Sequence, residues 1–313
     1  MVDRAATAAS GAFEPIARNA PPKGIGARFK IVAFNARGGK HFEAMVEHLS
    51  TPPLAGASVI LLCELDWRLT RSRMRKIAAE LAERLSMSYA FAPEFGFTRR
   101  DGITSFLGNA ILSTEPLHDL KVVPITSLYD WTQRHPGNVK DVRAIGARNA
   151  LVATINVGQI RMTLAVIHLE RLTDPAGRAA QMQELLDAIP SDGPAIIGGD
   201  FNTTSADWRG RLGLARLAVQ TLREPSRLRN PEPYEPLFGR LVDAGFSLRE
   251  ANVPFAPTFR LATMIPRFVL PKLDWIALRE LKAVSGSARV VRATRSWARS
   301  TSDHDFIVCE AEL

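Results

Sequence analysis

Cysteine is almost missing from this chain of 313 residues: there are two, Cys63 and Cys309, each inside an apolar run. A zinc or redox site built on two thiols would need partner ligands that the sequence does not show nearby, so both read as core. A reducing cytoplasm, the location expected for the protein, fits thiols of this kind. Long apolar stretches are absent too. None approaches the roughly 20 residues that span a bilayer, and the first 27 residues lack the apolar centre of a secretory leader. Their Ala, Pro and Gly content suggests a flexible arm over residues 1–27, followed by one domain over 28–313. No repeat of 20–50 residues and no low-complexity tract interrupts that domain. Acidic residues are in deficit, 32 Asp and Glu against 40 Lys and Arg, for a formal net charge of +8. Basic clusters at residues 68–76, 99–100, 208–216, 222–229 and 289–299 favour a polyanionic partner: nucleic acid, anionic lipid or an inositol phosphate. Peripheral contact with a membrane is compatible with the same charge, and a monomer is the expected state.

What is present is a series of apolar runs that end in chemically capable groups. Residues 196–202 read Ile-Ile-Gly-Gly-Asp-Phe-Asn. Two glycines break the run, and Asp200 and Asn202, two apart, share a face if the strand persists. Residues 29–34 lead to Asn35, 59–63 to Glu64 and 164–167 to His168, while Leu273 precedes Asp274. Ser302, Asp303 and His304 stand just before the closing run 306–308. Loops carrying chemistry at the ends of a rigid sheet are the usual arrangement of an enzyme. Helical spacing places Phe42, Met45, Val46 and Leu49 on one face within residues 40–49, and Met74, Ile77, Ala78, Leu81 and Leu85 on one face within 70–85. A third helix is expected over 178–189, and a hairpin joins the strands 147–155 and 161–167. Residues 92–107, 124–142 and 254–271 read as loops, and 206–252 as one or two helices with a Pro-rich patch.

The ordered set FNAR, LLCEL, GNAILS, IHLE, GGDFN, LDWI and SDHD, spread from about residue 29 to the C-terminus, resembles the endonuclease/exonuclease/phosphatase superfamily. DNase I-like nucleases, abasic-site endonucleases, inositol polyphosphate 5-phosphatases and neutral sphingomyelinases belong to it. The resemblance implies an α/β four-layer sandwich: two mainly antiparallel sheets packed face to face and flanked by helices. It implies Mg²⁺ or Mn²⁺ held by Glu64, with Asn35 and Asp303 close by, which suits hard oxygen ligands. It makes Asp274 the carboxylate that orients His304, the general-base candidate, and gives Asp200 and Asn202 to the attacking water and a phosphoryl oxygen. Asp200 is the alternative base. His168 becomes a phosphate donor and Arg148 a further phosphate contact. Asp66 is a second candidate ligand beside Glu64, and Asp305 falls on the opposite face. No Ser or Cys nucleophile elbow is present, which favours direct attack by water.

The expected activity is therefore hydrolysis of phosphodiesters, with nucleic acid as the first substrate class. A phosphatase or phospholipase-like hydrolase on a lipid or small metabolite is the second, and a catalytically inactive binding module is the third. Ala36-Arg37 stands where abasic-site endonucleases place a further acid, and IHLE lacks the extended pattern of the 5-phosphatases.

Overall fold

A computed structural model describes residues 13–98, 104–127, 143–206, 213, 219–221, 223–260, 270–293 and 301–313. The first half of the chain runs β1 (Ile16–Arg18), β2 (Arg28–Gly38), α1 (Phe42–Leu49), β3 (Val59–Trp67), α2 (Ile77–Leu85), β4 (Ser88–Thr98), β5 (Thr104–Ser113) and β6 (His118–Pro124). It continues with β7 (Arg143–Gly146), β8 (Asn149–Val157), β9 (Ile160–His168), α3 (Pro175–Leu186) and β10 (Ala195–Asp200). The last elements are α4 (Leu237–Asp243), β11 (Asp274–Arg279), β12 (Lys282–Ala283), β13 (Arg289–Val291) and β14 (Phe306–Glu312).

These strands form two sheets. The first has the order β1-β4-β5-β3-β2-β14-β12, with β7 paired to β4 and β13 to β14. The second has the order β11-β10-β9-β8-β6. Pairing is antiparallel except for β2 with β3 and β9 with β10. Alternation along each strand sorts the apolar residues into three layers. Ile31, Ala33, Leu61 and Cys63 from one sheet meet Leu164, Val166, Ile196 and Ile276 from the other in the central core. Val32, Phe34, Ile60 and Leu62 face outward to Phe42, Met45, Ile77 and Leu81 of α1 and α2. On the far side, Ala165, Ile167 and Ile197 face Met182 and Leu185 of α3 and Leu237 and Leu241 of α4. The result is the expected four-layer α/β sandwich.

Three expectations change. β1 pairs antiparallel with β4, Asn19 makes reciprocal hydrogen bonds with the Leu117 backbone, and the Ala20 N–H donates to Ser88 Oγ. Residues 16–20 thus extend a sheet edge and are no part of an arm, while residues 1–12 lie outside the described set. The helix expected from residue 70 starts at Ile77 instead. A short 3-10 turn over Thr70–Ser72 is followed by Arg73 and Met74 with positive φ, 58° and 60°, which no α-helix continues through. The expected loop 92–107 is largely the β4–β5 hairpin. A bulge between Pro93 and Phe95, together with Gly96 and Gly108, breaks the alternation that would have announced it. Most of the loop 124–142, the apolar stretch 261–269, the basic pair 99–100, all but residue 213 of the cluster 208–216 and residues 294–299 of the cluster 289–299 lie outside the described residues.

Candidate active site

The site lies at one end of the seam between the two sheets. On the second sheet, Asp200 of β10 is in register with His168 of parallel β9 and with Asp274 of antiparallel β11. Paired positions project the same way, so three functional side chains form a row across adjacent strands. Close approach makes this row possible. A Cβ on Gly198 would sit 2.7 Å from Leu61 Cδ1, and one on Gly199, at φ 139°, 2.2 Å from the Ile167 carbonyl oxygen. The glycine pair is thus required by sheet contact inside β10 and does not end the strand.

On the first sheet the facing strands are bulged at the same end. The β2–β3 register shifts after Asn35, the β3–β5 register shifts between Leu62 and Leu65, and β4 shifts at Pro93. Arg37 and Glu64 take positive φ, 48° and 54°, as does Asn202 opposite them at 50°. Non-glycine residues in this conformation cluster where a side chain has to be re-aimed for function. The bulges turn Asn35, Glu64 and Glu94 towards the second sheet.

Hydrogen bonds then knit the two rows. Asn35 Nδ2 donates to Asp200 Oδ2 at 3.0 Å and faces Glu64 Oε1 at 3.4 Å, while its Oδ1 accepts from Arg37 N–H. His304 Nδ1 lies 2.8 Å from Asp274 Oδ2, and its Nε2 lies 3.6 Å from Asp200 Oδ2. The backbone N–H of Asn202 donates to Asp200 Oδ1 at 3.0 Å, and its Nδ2 donates to the Leu169 carbonyl. His168 Nε2 faces Asp200 Oδ2 at 3.4 Å and Glu64 Oε1 at 3.9 Å, and its Nδ1 meets Arg148 Nη1 at 2.9 Å. Asp303 Oδ2 lies 3.4 Å from Arg37 Nε.

Apart from Asp66, the residues expected at the site lie together in it, and two of them touch partners that were not expected. Asn35, expected among the cation's neighbours, presents its amide N–H₂ to the carboxylates here. Arg148 is 6% exposed and held by Glu94 and His168, so it reaches the cleft beside the imidazole. Asp66 is not in the cleft: Arg71 binds it in a two-pronged ion pair beneath Gly38. Asp305 points away as expected, accepting from Ala293 N–H and pairing with Arg260.

Sequence reasoning missed Glu94, Thr258 and Ser302. Glu94 lay in a presumed loop. Thr258 Oγ1 accepts from the N–H groups of Leu273 and Asp274, which fixes the start of β11. Ser302 Oγ donates to the Asn35 carbonyl and accepts from His304 N–H, which ties the last strand's approach to β2. The SDHD spacing shows Ser302 but not its partner, 267 residues away.

Electrostatics follow from burial. Desolvation pushes the Asp200 carboxyl up to about 7 against the pull of His304. Burial opposes protonation of His304, but Asp274 and Asp200 outweigh it and raise the imidazole to about 10. His168 goes the other way, well below its ordinary value, through burial and then the Arg148 charge. Burial also raises Glu94 to about 7, with Arg148 opposing. A cleft of about 290 Å³ opens over the group, walled by Phe95, Phe97, Leu107 and Phe259 and edged by Arg37, Arg71 and Arg171. Hard oxygen donors from Glu64 and Asp303 border this cleft, so the residues present fit a divalent cation. Ligand atoms of Asp200, Asp274 and His304 also lie within 4.8 Å of one another. The Asp274–His304 hydrogen bond already accounts for that closeness.

Two sheets, a His–Asp pair and a cleft of carboxylates edged by arginine define a hydrolase of the phosphoester class. The match of residues 32–304 to the Endonuclease/Exonuclease/phosphatase family makes it definite: the chain belongs to that family, whose enzymes hydrolyse phosphoester bonds. Comparison with curated protein sequences gave no match. Among solved structures, a 3′ phosphatase, NExo, from Neisseria bound to a product DNA hairpin is similar at 18% identity and TM-score 0.57, covering 91% of this chain and 100% of its own. The catalytic domain of human Nocturnin with a bound sulfate is similar at 14% identity and TM-score 0.57, with 96% of each chain covered. An AP endonuclease from Archaeoglobus fulgidus follows at 16% identity and TM-score 0.56, covering 90% of this chain and 98% of its own. At these identities the likeness speaks for the fold.

Proposed function

We propose that the protein is a divalent-metal-dependent phosphodiesterase acting on nucleic acid, in which water attacks the phosphorus in line with the leaving oxygen. The observation that carries this reading is the Asp274–His304–Asp200 chain of contacts facing Asn35, Glu64 and His168 across the sheet seam. Phosphoesters resist attack because their oxygens are anionic, so a base, a hydrogen-bond donor and a positive charge have to converge. Asp274 orients the His304 ring, and Asp200, its carboxyl raised to about 7 beside that ring, is placed to take a proton from water near neutral pH. Asn202 and Asn35 fix the two oxygens of Asp200, and Asp274 fixes the imidazole plane. His168 is the donor for a phosphoryl oxygen. Glu64 and Asp303 would hold Mg²⁺ or Mn²⁺, which when bound neutralises phosphate charge and polarises the ester.

The net charge of +8 and the arginine rim support nucleic acid as substrate, and the phenylalanine wall suits a stacked base or sugar. The Neisseria phosphatase was solved with a DNA hairpin, a ligand class consistent with this reading. A second reading, hydrolysis of a lipid or small phosphorylated metabolite, draws on one observation. Part of the basic cluster 68–76 is spent internally, Arg71 on Asp66 and Arg75 on Glu43 and Glu80. A panel of plasmid, single-stranded and abasic DNA, RNA, bis-p-nitrophenyl phosphate, inositol phosphates and sphingomyelin, each with Mg²⁺, Mn²⁺ or EDTA, tests both. Metal-dependent cleavage of DNA or RNA that His304→Ala and Glu64→Ala reduce by about 10³-fold or more is expected. Turnover that survives EDTA and both substitutions sinks the mechanism; preference for a phosphomonoester or lipid selects the second reading.

A further inference from the structure

We propose that Arg148 is a positioning residue that holds His168 in its Nε2–H form, which makes His168 a fixed hydrogen-bond donor at the scissile phosphate and neither a base nor a cation ligand. The inference rests on the reading of His168 as a phosphate donor and adds how that role is enforced. A guanidinium carries five N–H groups and no lone pair, so it can only donate. The 2.9 Å contact between Arg148 Nη1 and His168 Nδ1 therefore has one polarity. Nδ1 supplies the lone pair, and the single proton of the neutral ring sits on Nε2. The other side of the ring agrees. Nε2 faces two acceptors, Asp200 Oδ2 at 3.4 Å and Glu64 Oε1 at 3.9 Å.

Arg148 is itself held in place. Its Nη1 lies 3.1 Å from Glu94 Oε2, its Nε 3.9 Å from Glu170 Oε2, and its guanidinium 5.7 Å from the centre of the Phe95 ring. Both acids are anchored by backbone groups, Glu94 by Asn149 N–H and Glu170 by Leu172 N–H. A long cation so surrounded has little freedom to leave His168 for a substrate. The two imidazoles of the site are thereby given opposite forms by opposite partners. His304 has carboxylates on both sides, Asp274 at Nδ1 and Asp200 at Nε2, and these favour a proton on each nitrogen. His168 has a guanidinium on Nδ1 and presents N–H to the cleft. One ring is set between carboxylates that hold its protons, the other against a guanidinium that leaves it one N–H to donate.

The test is the imidazole ¹H–¹⁵N spectrum of the full chain labelled at its six histidines, taken without metal or substrate, with the His168 signals assigned from His168→Asn. The expected wild-type pattern is an unprotonated, pyridine-type Nδ1 and a pyrrole-type Nε2 for His168. Arg148→Met should abolish that preference and lower kcat by roughly ten- to a hundredfold with KM within about twofold. Arg148→Lys, which keeps a donor, should restore the tautomer and part of kcat. A wild-type Nδ1–H ring or imidazolium at His168 overturns the proposal, and that reading needs no variant to fold. So does an unchanged tautomer in folded Arg148→Met, or a rise in KM with kcat intact, which would make Arg148 a direct substrate contact. Because the spectrum is read without substrate, it stands or falls apart from the hydrolysis assay.

Discussion

At the scale of single residues, neighbouring acids with the same chemistry are sorted by what they touch. Asp274 and Asp305 are both fully buried, yet Asp274 holds the His304 imidazole and Asp305 holds Ala293 N–H and Arg260. Asp274→Asn should lower kcat by about 10²–10⁴ with KM little changed, since the ring loses the charge and the acceptor that orient it. Asp305→Ala should instead cost about 1–3 kcal/mol of stability, read by urea unfolding, and leave kcat per folded molecule within a few-fold of wild type. The opposite pattern would exchange their roles. Strand alternation in the SDHD motif already put Asp305 on the face opposite His304, so its exclusion from the site was legible in the sequence. Lys272 was not. Its Nζ donates to the Val253 carbonyl and lies 3.7 Å from the Trp275 ring, and burial pulls its ammonium down to about 7. Unfolded, it would titrate near 10, so the fold disfavours the charged form, and the cost is complete below about pH 7 and fades as pH rises towards 10. Lys272→Met should therefore be more stable than wild type at pH 7, by roughly 1–3 kcal/mol, with the gap narrowing by pH 9.5. A gap that does not change with pH would refute this account.

At the scale of elements, most strands and all three longer helices could be read from apolar spacing. The exceptions share a cause. Bulges at Asn35, Glu64 and Pro93 insert residues that break period two, and these bulges aim Asn35, Glu64 and Glu94. Local irregularity and function coincide, so the pattern is least readable next to the chemistry. Glu94 shows the effect most clearly. It belongs to a strand whose Pro, Gly and bulge made it look like a loop, and its partners Arg148 and Asn149 are more than 50 residues away. The glycine pair before Asp200 was legible as a break, but its reason was not. With a Cβ at Gly199 held 2.2 Å from the Ile167 carbonyl at φ 139°, Gly199→Ala should cost about 3 kcal/mol or more, or yield insoluble chain. A melting temperature equal to wild type would contradict the packing described for β10. Gly158, in the β8–β9 turn with open space around its Cα, is the control: alanine there faces only its φ of 60°.

At the scale of the whole molecule, the four layers do two things at once. They bury the central core between sheets, and they bring the bulged ends of the first sheet against the in-register row of the second. The charge of the chain acts at this scale too. If the substrate is nucleic acid, several phosphates should be neutralised together, and the logarithm of affinity should fall linearly with the logarithm of salt, by about 0.7–0.9 per phosphate contacted. Binding of a catalytically inactive Glu64→Ala chain to labelled DNA between 50 mM and 200 mM salt, in the presence of Mg²⁺, measures this slope. A slope near one contact would favour the small-substrate reading. No helix among the described residues is long and apolar enough to cross a membrane.

By itself the sequence supplied the candidate site residues and their order, because each motif is a few residues long and strand alternation dictates its faces. Apolar runs of strand length interleaved with amphipathic helices also marked an α/β domain, while the four-layer sandwich was implied by the family resemblance of the motifs and not by their periodicity. What only the tertiary structure decided is which of those residues share protons and charges. Asp66 left the site for Arg71, Asn35 turned its amide towards two carboxylates, and Arg148 and Glu94 met behind His168. Hydrogen bonds and ion pairs act over a few ångströms, and these contacts join strands separated by up to 165 residues along the chain. No local pattern encodes such distances; the register and the packing of the two sheets do.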